Sequence, residues 1–220
     1  MKVRRFASYE EMTEHVVKLL TIHLERKTPA PRGIMLAGGL TPLPAYRKLA
    51  TLRVRAASSA HILFSDERMV PANSPENNYA NARDMIRACG IPEQRVIRVH
   101  TECALPVAAD RYDRDLTSFF AKGGTVGVGL LGLGADGHTA SILTPEDAAE
   151  KSRFVIAVPQ KPGPDRVTVT RDFLLRVDTL VILVSGPDKA PIVKQFQENP
   201  GSLPAGQALA GARDIALWIS

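Results

Sequence analysis

Apolar positions along this chain follow two patterns, short continuous runs and stretches with helical spacing. The continuous runs predict strands at residues 33–37, 62–64, 96–99, 126–131, 154–158, 167–170, 180–184 and 215–219. The helical pattern predicts helices near residues 8–24, 42–52, 79–88, 106–122 and 190–197. Strands that are apolar throughout are typical of a sheet buried on both faces. We therefore expect an α/β fold, a doubly wound, mostly parallel sheet with helices on both faces, and a single domain over residues 1–220.

Composition narrows the class of partner. The chain has 220 residues and a net charge of +5, which fits a small anionic ligand. Aromatic residues make up only 5%, and no run of five basic residues occurs, so we expect no nucleic-acid partner. The longest apolar run, residues 126–135, is about half the ~20 residues of a membrane span, and no signal peptide is visible. Only two cysteines are present, Cys89 and Cys103, too few for a disulfide framework, so we expect a reduced, cytoplasmic protein. We expect it to be a monomer or a small homo-oligomer.

The first candidate site is a glycine turn between a predicted strand and a predicted helix, at residues 38–42 (GGLTP). Two glycines let the backbone direct N–H groups at a ligand, and a helix N-terminus favours an anion. This makes Gly38, Gly39 and Thr41 candidate anion-binding residues. The alternative is an ordinary tight turn with Thr41 as N-cap and Pro42 as the first helical residue.

Two further strand ends carry charges. Asp66, Glu67 and Arg68 directly follow the strand at residues 62–64 and begin a predicted polar loop that runs to Asn78. Charges at a buried strand end must be solvated or take part in binding or catalysis, because burying them unpaired is costly. Lys189 opens a predicted helix, where a cation is mildly unfavourable and suggests a compensating anion. A solvated loop and a solvated lysine are the alternatives.

The fourth candidate is the glycine-rich stretch at residues 132–141 (GLGADGHTAS), which follows the most apolar strand. It places His138 near the predicted start of a helix, where the helix dipole would keep the imidazole neutral, with Asp136 close by. Two G-x-G-x-x-G matches overlap this stretch, but one lies within the strand and the other lacks the later acidic residue of a dinucleotide site. No Walker A motif, serine-hydrolase elbow or metal-ligand spacing is present.

These four segments, together with residues 166–170 (RVTVT), resemble the 6-phosphogluconolactonase family of the glucosamine/galactosamine-6-phosphate isomerase superfamily. The matching motifs are residues 38–42, 66–71 (DERMVP) with 77–79 (NNY), 132–141, 166–170 and 186–190 (GPDKA), all in the same order. Three positions depart from the family pattern, which often has Ser, Ser and Gly where this chain has Ala37, Leu40 and Ser65. At Ala37 and Leu40 the chain therefore lacks two hydroxyls that would donate to a phosphate.

The resemblance implies hydrolysis of 6-phospho-D-glucono-1,5-lactone. His138 would act as general base on water, with Asp136 or Asp66 orienting the imidazole or binding sugar hydroxyls. The N–H groups of residues 38, 39 and 41, with Arg68 and Lys189, would bind the phosphate. Arg166 would contact the substrate, as a phosphate ligand or at the oxyanion. A lactone is an activated ester, so we expect neither a metal nor another cofactor.

Two other functions remain open from the sequence. Glucosamine-6-phosphate deaminases share the fold but carry an Asn-Glu pair after the histidine motif, whereas this chain reads SILTP at residues 141–145. They also tend to have Tyr where this chain has Arg68. A phosphosugar-binding regulator without turnover is the second alternative, although residues 1–30 hold one predicted helix and leave no room for a DNA-binding domain.

Overall fold

The structure is a computed structural model that describes residues 1–220. Its central feature is a parallel sheet of six strands in the order β1-β9-β8-β5-β2-β3, with every neighbouring pair parallel. In chain order the nine strands of the molecule are Lys2–Arg5 (β1), Arg32–Leu36 (β2), Ala60–Phe64 (β3), Asp66–Arg68 (β4), Thr125–Gly132 (β5), Val155–Val158 (β6), Arg166–Val169 (β7), Leu180–Val184 (β8) and Ile215–Ile219 (β9).

Eight α-helices connect and cover these strands. They are Tyr9–Glu25 (α1), Leu43–Thr51 (α2), Asn78–Ala88 (α3), Leu105–Ala121 (α4), Pro145–Ala149 (α5), Arg171–Leu174 (α6), Ala190–Glu198 (α7) and Pro204–Leu209 (α8). None of them is long and apolar enough to cross a membrane.

Side chains on the two faces of the sheet belong to two separate apolar clusters. On β8, Val181 and Leu183 pack into the cluster that includes α1 to α3, and Ile182 and Val184 pack into the cluster that includes α4 and α7. Successive strand residues point to opposite faces, so a strand buried on both sides must be apolar throughout. The predicted doubly wound, mostly parallel sheet with helices on both faces is confirmed.

A second, antiparallel sheet was not predicted. It has the order β4-β7-β6, and it forms one wall beside the carboxyl ends of the large sheet. The predicted loop at residues 66–78 is therefore wrong at its start, because Asp66–Arg68 pairs with β7. Three charged residues carry no apolar pattern, so only the pairing with β7 identifies them as a strand.

Two other local predictions are wrong. Residues 96–99 form no strand, only a single bridge from Val96 to Ile62. No helix starts at His138 either, because Gly137 and Ala140 adopt positive φ angles of 84° and 51° that a right-handed helix does not allow. The next helix, α5, begins only at Pro145, so the expected helix dipole does not act on the imidazole.

Candidate active site

A cleft opens where the carboxyl ends of β2, β5 and β8 meet the antiparallel sheet. This is the edge at which doubly wound proteins bind ligands. Asp136 lies outside the lining but contacts His138, which lines the cleft. The other eight residues that the sequence singled out all line it, namely Gly38, Gly39, Thr41, Asp66, Arg68, His138, Arg166 and Lys189. The fold thus brings the predicted residues together, and their roles in binding and catalysis stay predictions.

The glycine turn after β2 presents unused N–H groups. The N–H groups of residues 38–41 make no hydrogen bond within the chain, and Gly39 has a φ of 81°. Successive free N–H groups form a concave donor surface that suits an anion. Helix α2 begins at Leu43 with Pro42 as its N-cap, one residue later than in the alternative interpretation, which made Thr41 the N-cap and Pro42 the first helical residue.

Gly38 must be glycine because Asn78 occupies the space of a side chain. A Cβ on Gly38 would overlap the Asn78 carboxamide. That carboxamide is fixed in turn, since its Nδ2 donates to the Asp66 carbonyl at 2.8 Å. The start of α3 therefore packs directly against the glycine turn and limits its movement.

Two arginines face each other across the antiparallel sheet. The register of β4 and β7 places Arg68 opposite Arg166, and neither forms a salt bridge. Burial lowers the pKa of Arg166, and the nearby charge of Arg68 lowers it further. Like charges on directly opposed positions destabilise a sheet. An anion bound in the cleft would offset this repulsion, and Lys189, which lies at the start of α7 and lines the same cleft, would pair with that anion as a third cation.

Asp66 lies in a buried hydroxyl network. Its Oδ1 accepts a hydrogen bond from Ser65 Oγ and its Oδ2 accepts one from Ser141 Oγ, both at 2.7 Å. The carboxylate is 6% exposed, and both serines are fully buried. The Ser141 N–H also donates to Thr168 Oγ1 on β7 at 3.1 Å. Asp66 thereby ties the loop that carries His138 to the antiparallel sheet, a role the sequence did not reveal for either serine.

The imidazole is oriented by the other aspartate. His138 Nδ1 lies 2.5 Å from Asp136 Oδ1, and this hydrogen bond leaves Nε2 as the nitrogen that can accept a proton. Partial burial raises the pKa of Asp136, but the hydrogen bond and charge of His138 outweigh this effect and hold that pKa below its ordinary value. Of the two candidate aspartates, Asp136 is the one in contact with the imidazole.

Glu67 stands apart from the cleft. It is 1% exposed, and its carboxylate accepts the N–H groups of Arg68, Asn78 and Tyr79 at 2.7–2.9 Å. Burial raises the pKa of Glu67 to about 7, because its effect is larger than that of the three N–H donors, which lower the pKa. The acidic residue between Asp66 and Arg68 thus serves to hold the start of α3 against β4.

No group of three or more His, Cys, Asp or Glu side chains is arranged to hold a metal ion.

Fold and site together define an α/β protein whose cleft combines a turn with free N–H groups and a carboxylate-oriented histidine. A family model described as glucosamine-6-phosphate isomerases/6-phosphogluconolactonase matches residues 5–218. The chain belongs to this family.

Individual relatives are similar over most of their length. The chain is 33% identical over 193 residues to 6-phosphogluconolactonase from Nostoc sp., covering 84% of this chain and 80% of that protein. The crystal structure of 6-phosphogluconolactonase from Thermotoga maritima has a TM-score of 0.83 at 28% identity and covers 99% of this chain and 98% of that one. A monomeric glucosamine-6-phosphate deaminase has a TM-score of 0.82 at 21% identity, covering 100% and 97%, and this likeness shows the fold alone.

Proposed function

We propose that this protein is an enzyme that hydrolyses 6-phospho-D-glucono-1,5-lactone to 6-phosphogluconate, the second step of the oxidative pentose phosphate pathway. The observation that carries the proposal is the cleft itself. It places a histidine oriented by a carboxylate beside three cations without salt bridges and a turn with free N–H groups. The family and the names of the similar curated proteins support the same substrate.

The phosphate binds at the cationic end of the cleft. The N–H groups of Gly38, Gly39 and Thr41 donate to its oxygens, and Arg68 and Lys189 neutralise its charge. The phosphate would also relieve the repulsion between Arg68 and Arg166. Holding the phosphate fixes the lactone carbonyl relative to His138, so that binding energy from a remote group becomes orientation at the reacting carbon.

His138 then acts as general base. Its Nε2 takes a proton from a water molecule as the water oxygen forms a bond to C1, and the carbonyl electrons move onto the oxygen. Asp136 stabilises the imidazolium that this transfer creates. When the intermediate collapses, the bond from C1 to the ring oxygen breaks, and the imidazolium returns its proton to that oxygen. Arg166 would either contact the phosphate or donate to the oxyanion.

One observation favours the lactonase over a deaminase. Ring opening of an amino-sugar phosphate by the deaminase motif uses an additional glutamate, whereas the only carboxylate that lines this cleft is that of Asp66. Both oxygens of Asp66 already accept hydroxyl donors. The cleft is better equipped to activate water than to open a sugar ring.

For the setting of the enzyme we propose the cytoplasm, a monomer or small homo-oligomer, and no nucleic-acid or membrane partner. The absence of a disulfide between Cys89 and Cys103 is in keeping with a reducing compartment. The excess of five positive charges would attract the substrate dianion.

The test is hydrolysis of freshly generated 6-phosphogluconolactone, with the spontaneous rate subtracted, by the wild type, His138→Ala and the control His100→Ala. His100 pairs with Glu102 outside the cleft. Removing a general base lowers kcat by about 10²- to 10⁴-fold, and the control should keep its activity. A wild-type rate equal to the background would overturn the proposed reaction, and an active His138→Ala would overturn the proposed base.

A further inference from the structure

The glycine turn of the cleft is held from behind by two tyrosine hydroxyls. Tyr46 of α2 is buried, and its Oη donates to the carbonyl of Ala37 at 2.9 Å. Tyr9, the first residue of α1, donates through its Oη to the carbonyl of Thr41 at 2.9 Å and lies 3.2 Å from that of Leu40. Neither tyrosine lines the cleft. Both ends of the turn are therefore anchored to helices outside the substrate site.

Anchoring a carbonyl also sets the direction of an N–H group. The peptide unit is planar and trans, so a C=O and the N–H that follows it point in opposite directions. With the Leu40 carbonyl held by Tyr9, the N–H of Thr41 points away from Tyr9. The Ala37 carbonyl acts in the same way on the N–H of Gly38. Both of these N–H groups lack an acceptor within the chain, and both residues line the cleft.

Tyr9 restrains the second half of the turn together with one backbone hydrogen bond, in which the Leu43 N–H donates to the Leu40 carbonyl at 3.3 Å. Its hydroxyl makes the only side-chain hydrogen bonds to residues 39–41. Gly39 has no atom within 4 Å of the position of a Cβ, and Leu40 is 82% exposed. The first half is fixed more firmly, by the buried Tyr46 hydroxyl and by the packing of Asn78 on Gly38.

We propose that Tyr9 is a positioning residue for the phosphate subsite. Its hydroxyl orders the turn so that the N–H of Thr41 is directed for an anion before the substrate arrives. The ordering is then complete in the free protein and takes nothing from the binding free energy. This inference rests on the proposed function, in that the anion is the phosphate of the sugar lactone.

The test compares Tyr9→Phe with the matched control Tyr79→Phe. The Tyr79 hydroxyl makes no hydrogen bond in the structure, and its ring packs on Phe64. KM and kcat are measured with 6-phosphogluconolactone, and the dissociation constant of 6-phosphogluconate is measured by calorimetry. Losing the hydroxyl bond should raise KM and the dissociation constant by about 2- to 10-fold. The kcat should stay within about twofold, since the hydroxyl acts equally on the ground and transition states.

The outcomes separate this inference from the proposed function. Tyr9→Phe with wild-type KM and wild-type product affinity would overturn the inference, and so would a fall in kcat at unchanged KM. The same loss in Tyr79→Phe would assign the effect to general weakening of the fold. A wild type that binds 6-phosphogluconate without hydrolysing the lactone would overturn the proposed reaction, and the calorimetry would still decide the role of Tyr9. A wild type that does not bind 6-phosphogluconate would overturn both.

Discussion

The pair of His138 and Asp136 gives the sharpest prediction about the proposed reaction. Asp136→Asn removes one negative charge but keeps an oxygen that can accept the hydrogen from Nδ1, which now lies 2.5 Å from the carboxylate. The imidazole should therefore keep its orientation and lose most of its electrostatic support. The support matters only when the imidazole is protonated, which in the proposed mechanism happens as the water attacks.

The size of the effect follows from the distance and the exposure of the pair. Two unit charges about 4 Å apart attract by about 1 kcal/mol in water and about 4 kcal/mol at the effective dielectric constant of a protein surface. The Asp136 side chain is 68% exposed, so screening by water favours the lower part of this range, about 1–2 kcal/mol. Applied to the transition state alone, this predicts a fall in kcat of about 5- to 30-fold.

The test is steady-state kinetics of the wild type and Asp136→Asn on 6-phosphogluconolactone, with Asp84→Asn as the control. Asp84 is an exposed aspartate of α3 without a salt bridge, so its substitution changes the net charge by the same amount. We expect the loss in Asp136→Asn to fall on kcat, with KM within about twofold, and the control to match the wild type. A kcat that Asp136→Asn leaves unchanged would refute the idea that the carboxylate supports the imidazolium, and a loss confined to KM would make Asp136 a substrate ligand instead.

Two further predictions concern charge at and away from the cleft. Arg166→Met should raise KM by about 10- to 100-fold if the guanidinium binds phosphate. The thermal unfolding temperature of the ligand-free protein should not fall, because the repulsion between Arg166 and Arg68 is removed. A loss in kcat instead would place Arg166 at the oxyanion. Burial, with the charges of Arg32 and Arg26, lowers the pKa of His23 from 6.5 to about 4, so its contribution to stability is complete above pH 6.5 and is lost progressively as the pH falls from 6.5 through 4. After a discount for the partial exposure of His23, the loss in the free energy of unfolding is about 1–2 kcal/mol. Denaturant unfolding of the wild type and His23→Gln at pH 7 and pH 4.5 measures it, and a difference between the two proteins that does not change with pH would contradict the assignment.

Local pattern was sufficient for the elements that the large sheet buries. Continuous apolar runs identified β2, β3, β5, β8 and β9 because both faces of these strands are covered. The pattern failed for β1, whose four residues are all exposed at the sheet edge, and for β4, whose residues are all charged. In both strands the conformation comes from pairing with a strand that is remote in sequence, which a local pattern does not contain.

The candidate site shows the same division. Strand ends pointed to the cleft residues, because parallel strands deliver their carboxyl ends to one edge. The sequence left Asp66 and Asp136 as equal partners for the imidazole, and only the structure distinguishes them. The hydroxyl of Ser141 that binds Asp66 is 75 residues away along the chain, and the Tyr9 hydroxyl is 32 residues from Thr41. Contacts of this kind leave no signature in spacing.

We propose that residues 1–220 form a single domain. The two apolar clusters lie on opposite faces of one sheet, and the antiparallel sheet shares the cluster that contains α4. No stretch of the chain separates one cluster from the other, since the strands of the large sheet contribute to both.

The separation in sequence of the cleft residues makes catalysis a reporter of folding. Segments from Ala37 to Lys189 must all be in place before His138, the arginines and the glycine turn share one space. The only tryptophan, Trp218, does not line this space; it lies on β9 beside Phe6, in register with Leu183 of β8. Its fluorescence follows the closing of the sheet edge, whereas regained turnover follows the assembly of the cleft. Recorded together during refolding, the two signals time the pairing of the edge strands and the completion of the cleft separately, without an added probe.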